Sequence, residues 1–88
     1  MINYITKQSN GSVSVSISAQ AMNRLEAHRP TGCPFDGYTM LDLLKDWIQM
    51  YAWQITQKSI SLVDFIKSIR GDEKLAVYGD AMVALLAQ

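Results

Sequence analysis

Residues 39–57 constrain this chain most. Projected at about 100° per residue, Leu43, Met50, Trp47, Met40, Tyr51, Leu44, Ile55, Ile48, Leu41 and Ala52 fill an apolar arc of about 200°, interrupted only by Gln54. Thr39 and Asp42 have the spacing of a capping box, in which a hydroxyl and a carboxylate satisfy the free amides of a helix start. The pattern predicts a central helix over residues 39–57. An arc that wide needs neighbours on at least two sides. Trp53 breaks the pattern, because it falls in the polar stripe with Lys45, Gln49, Asp42 and Asp46. Trp53, with Gln49 and Asp46 before it, is therefore the expected contact patch.

The flanking segments supply the neighbours. Residues 2–7 and 12–18 read as two strands joined through Asn10-Gly11, a strong hairpin signal, so a hairpin is expected over about 2–18. In the second strand Ser12, Ser14, Ser16 and Ser18 alternate with Val13, Val15 and Ile17. The serine row is assigned to water and the apolar row to the helices. Ser18 caps an expected helix over 19–28, with Ala21, Met22 and Leu25 on one side, and Pro30 ends it. Residues 29–38 hold two prolines and two glycines and read as a loop, pinned by Cys33, Phe35 and Tyr38. Phe35 and Tyr38 form a second candidate contact region.

A third helix is expected over 61–70, starting from Ser59-Ile60-Ser61, with a Ser61/Asp64 capping box and an inward stripe of Leu62, Phe65, Ile66 and Ile69. Gly71 suits its C-terminal stop. A fourth, capped by Asp72, covers 72–87 with Leu75, Tyr78, Met82, Leu85 and Leu86 inward and Gly79 at a close crossing. The rival reading makes 74–78 a short strand. The fold class is α+β: one domain over 1–88, a short N-terminal β-hairpin packed on a bundle of three to four helices.

Composition narrows the function. The chain has 88 residues, 49% of them apolar and 18% charged, and eight basic residues offset eight acidic ones. That balance excludes a disordered tail and argues against a protein whose main task is neutralising phosphates. No apolar run approaches the roughly 20 residues of a membrane span. One cysteine forms no internal disulfide, and the N-terminus lacks a signal-peptide pattern, so the cytoplasm is the expected compartment. A domain this small has a limited core, and its generous apolar half implies self-association, a homodimer in the simplest case, or an obligate partner.

Residues able to do chemistry are few. His28, Cys33 and Asp36 are close in sequence, but one Cys and one His fall short of a zinc ligand set. An 88-residue chain also leaves little room for a Cys–His catalytic cleft. They read as a structural Cys and a surface His at a helix end. Asp42 and Asp46 share a helix face beside Lys45 and read as a solvated stripe. Asn10-Gly11-Ser12 has the form of a glycosylation acceptor and reads as a turn. No phosphate-binding glycine spacing is present. No catalytic residue, metal or cofactor is expected, and the chain is read as a non-enzyme.

The run Ser12-Val-Ser-Val-Ser-Ile-Ser-Ala-Gln-Ala-Met-Asn-Arg-Leu-Glu26 resembles the opening of a ribbon-helix-helix regulator, an alternating strand followed by an amphipathic helix. The resemblance covers about half the chain. It implies a dimeric DNA-binding transcriptional regulator, with paired strands that present Ser12, Ser14 and Ser16 to the major groove, Arg24 among the phosphate contacts, and a second helix starting at Gly37-Tyr38-Thr39. This chain departs from the pattern. Its outward strand residues are all serine, the loop between the helices is longer, and Asn10-Gly11 gives the strand an intramolecular partner. The preferred expectation is a small protein-binding regulator or inhibitor acting through a helical surface. Accessory proteins of phage and mobile elements offer an analogy of size alone.

Overall fold

The computed structural model describes residues 2–32, 36–69 and 73–87, with the side chains of 73–75 left aside. Two strands, β1 (Tyr4–Lys7) and β2 (Val13–Ser16), are followed by helices α1 (Ala19–Glu26) and α2 (Met40–Tyr51). A single 3₁₀ turn (Ala52–Gln54) leads to β3 (Ser59–Ser61), and helices α3 (Leu62–Ile69) and α4 (Glu73–Ala87) complete the chain. This is the expected α+β class, with one addition: the hairpin is part of an antiparallel three-stranded sheet of order β2-β1-β3.

The hairpin forms as its residues dictate. Gly11 has φ +89°, a conformation that favours glycine. The Gln8 N–H donates to the Ser12 carbonyl at 2.7 Å, and the Asn10 side-chain oxygen accepts from the Ser12 N–H at 3.0 Å. Tyr4 pairs with Ser16, Ile5 with Val15 and Thr6 with Ser14. Ser12, Ser14 and Ser16 are exposed as expected. The apolar row is only partly covered: Val13 and Ile17 pack against the core, whereas Val15 remains 42% exposed.

Residues 59–61 correct the sequence reading. They form β3, with Ile60 opposite Ile5, and α3 starts at Leu62. A three-residue Ser-Ile-Ser segment carries too little periodicity to distinguish a strand from a helix start, and pairing with β1 decides it. Ser61 keeps its capping role, accepting from the Asp64 N–H at 3.1 Å. The same pairing shortens the central helix. It ends at Tyr51, well before 57, and the chain is extended at Ile55, whose carbonyl accepts from Lys7 Nζ at 2.9 Å. The first helix likewise ends early, at Glu26, with Ala27 as its C-cap in helical geometry.

The helix starts match their residues. Ser18 Oγ accepts from the Ala21 N–H, and the Thr39/Asp42 capping box is complete. Thr39→Ala should cost about 1 kcal/mol, read as a lower urea midpoint with an unchanged m-value. Residues 74–78 lie within α4, so the strand alternative is not adopted. Met82, Leu85 and Leu86 are buried as expected, Tyr78 is half-buried, and Gly79 is also buried. The expectations for Leu75, Gly71 and Asp72 lie outside the described residues.

The core lies between the sheet and the helices. Ile5 from β1, Ala21 and Leu25 from α1, Met40, Leu44 and Trp47 from α2, Phe65 and Ile66 from α3, and Met82 from α4 form one buried cluster. Met40, Leu41, Leu44, Trp47 and Ile48 of the central helix are buried, whereas Lys45, Asp46, Gln49 and Met50 face outward.

Candidate functional site

The exposed side of α2 and the turn after it carry the candidate patch. Trp53 is 73% exposed and Met50 51%, while Asp46 and Gln49 are exposed alongside. Positions 46 and 49/50 follow one another up one side of α2, and Trp53 stands in the 3₁₀ turn directly after it. The wheel placed Met50 at the edge of the apolar arc, beside Asp46, and that edge position is the signal that could have marked it as exposed. Tyr38 is half-buried and donates its hydroxyl to the Asp46 carboxylate. One hydrogen bond thus joins the two regions that the sequence singled out. Phe35 lies outside the described residues.

A groove of about 420 Å³ opens beside this patch, between β2, α1 and α2. Val15 and Ile17 form one wall, Met22 another, and Leu41, Leu44 and Ile48 the floor along α2. Glu26, Lys45 and Gln49 stand at its rim. Gln49 therefore belongs to both features, and groove and patch are continuous along the helix. The sequence marked the apolar residues as core. The groove exists because β2 is the last strand on its side of the sheet, so nothing described lies beyond Val15.

The residues of the DNA-binding alternative are arranged differently. Sheet pairing puts Tyr4, Thr6, Ser14, Ser16, Ser59 and Ser61 on one face, a surface of hydroxyls without a cation among them. Arg24 points elsewhere: its Nε donates to the Leu85 carbonyl at 2.7 Å, which satisfies a carbonyl in the last turn of α4. Two of the three residues read as structural or surface groups near the loop also have local partners. His28 Nδ1 lies 2.7 Å from the Arg24 carbonyl and so carries a proton, and Asp36 pairs with Arg29 at 3.8 Å. Cys33 lies outside the described residues. Among the described residues no group of three His, Cys, Asp or Glu is placed to hold a metal, and no helix is long and apolar enough to cross a membrane.

The fold and this surface define a small α+β domain with an aromatic-bearing helical face and an adjoining apolar groove. Comparison with known proteins finds no match: no family model, no curated protein and no solved structure aligns with the chain.

Proposed function

We propose that this chain is a small non-enzymatic protein-binding regulator or inhibitor, acting in the cytoplasm through the exposed side of α2. The observation that carries the reading is the 73% exposure of Trp53 beside a half-exposed Met50. Exposed single apolar residues are ordinary, but a Trp and a Met adjoining a neutral polar rim have the composition of an interface centre. Truncating such an aromatic anchor in an interface costs 2 kcal/mol or more, about a thirtyfold loss of affinity. Asp46, held by Tyr38, and Gln49 supply directional polar contacts beside it.

The test combines binding with fold stability. A partner captured by the wild-type chain should be lost, or bound at least tenfold more weakly, with Trp53→Ala, while the thermal midpoint changes little. Equal capture by both proteins would sink the reading. The hydroxyl face of the sheet, with Arg24 committed to α4, gives the DNA-binding alternative less support.

A further inference from the structure

The sheet has two edges, and they are not equivalent. β3 is three residues long and runs directly into α3, which limits any strand that could pair with it. β2 lies at the other edge with no described strand beyond it. Between Lys7 and Arg24 the chain carries no charged residue and no proline. Sheet proteins normally guard a free edge with a lysine, a proline, a bulge or an inward charge, and this edge has none of the charge or proline guards.

The hydrogen-bond pattern says which groups it offers. Gln8 donates to Ser12, while Lys7 donates to Lys58 and Asn3 accepts from Leu62, so alternate residues of β1 serve β2 and β3. On β2, Ser12, Ser14 and Ser16 therefore turn their main chains toward β1. Val13 and Val15 turn theirs outward. Their side chains point to the core face, where Val15 overhangs the groove.

We infer that this edge and groove join two copies of the chain, β2 to β2, antiparallel about a two-fold axis through Val15. The occupant must be a strand with apolar side chains on the groove side and small polar ones on the other, and β2 has that alternation itself. With Val15 opposite Val15 of the second copy, Val13 falls opposite Ile17. The apolar row Ile60-Ile5-Val15 then continues across the axis, Val13 and Ile17 meet on either side of it, and a six-stranded sheet results. The axis stands perpendicular to the sheet, so each copy's groove adjoins the other's apolar strand face and the serine face stays in water. The groove's rim holds one acid and one base, Glu26 and Lys45, so two copies meet without net repulsion. A standard stable interface covers roughly 800 Å² on each partner. One strand edge is narrower than that, and the groove beside it extends the contact. The interface remains small, and association on the order of micromolar is expected.

The test is sedimentation velocity across a wide concentration series. The wild-type chain should pass from monomer to dimer in the micromolar range. Val15→Lys places a charge in the joint and should leave a monomer at least tenfold beyond that range, with an unchanged circular dichroism spectrum. Val15→Pro removes an N–H that serves no bond to β1, so it should abolish the dimer and spare the hairpin. If the proline variant fails to fold, the lysine variant decides. A wild-type monomer up to millimolar concentration, or a dimer that survives Val15→Lys, would overturn the inference. Trp53→Ala should dimerise normally, which separates this interface from the partner surface on α2.

Discussion

Trp47→Ala is expected to lower the melting midpoint by roughly 12–40 °C, whereas the same change six residues on, at Trp53, should hardly move it. Trp47 is 1% exposed and is one of the largest fully buried side chains of a core cluster that also draws on α1, α3 and α4. Truncating a buried aromatic costs about 3–5 kcal/mol, because the transfer energy is lost and the remaining cavity collapses only in part. For a domain of this size each kcal/mol moves the midpoint by about 4–8 °C. The whole domain is stable by only some 5–13 kcal/mol, so the substitution removes a large fraction of it. Trp53 has little buried area to lose. Differential scanning calorimetry of the two variants distinguishes the roles directly: comparable losses would mean that Trp53 is a packing residue, and the interaction surface would lose its anchor.

Asn3 should prove the most sensitive polar position. Its φ is +62°, its side-chain oxygen accepts from the Ser18 N–H at 3.0 Å, and its carbonyl accepts from the Leu62 N–H at 2.8 Å. One residue thus ties the entrance of β1 to the starts of α1 and α3. Asn3→Ala loses the side-chain bond, worth about 0.5–1.5 kcal/mol, and puts a less tolerant residue into the left-handed region at about 1–2 kcal/mol. The combined cost is roughly 2 kcal/mol. Asn3→Gly removes the strain but not the lost bond, and Asn3→Asp keeps both the acceptor and the tolerance. Urea denaturation should therefore rank stability as Asp above Gly above Ala. Equal midpoints for Gly and Ala would show that backbone strain contributes nothing at this position.

Local signals were legible wherever one short stretch holds all the information. The Asn10-Gly11 turn, the Ser18 cap, the Thr39/Asp42 box and the Leu62, Phe65, Ile66, Ile69 stripe all appear at their expected positions. The exposure of Trp53 was legible for the same reason, since helix phase alone put it away from the core. Positions that depend on distant residues were not. Ile60 pairs with Ile5, 55 positions away in sequence, and no pattern within 59–61 encodes that partner. The early end of α2 follows from it, because the chain must leave the helix to bring Lys58 to Lys7. Arg24 gave no hint of its attachment to Leu85, and helix periodicity marks Leu41, Leu44 and Ile48 as apolar without showing that they line a groove.

The α+β class, the hairpin, the helix starts and the outward aromatic follow from the chain's local patterns, because caps, turns and periodicity are contests between near neighbours. Tertiary structure alone decided the third strand, the length of the central helix, the meeting of Tyr38 with Asp46, and the open groove beside β2. Each of these turns on which elements end up adjacent. Burial and pairing energies summed across the whole fold set that choice, and they override local preference at the ends of its elements.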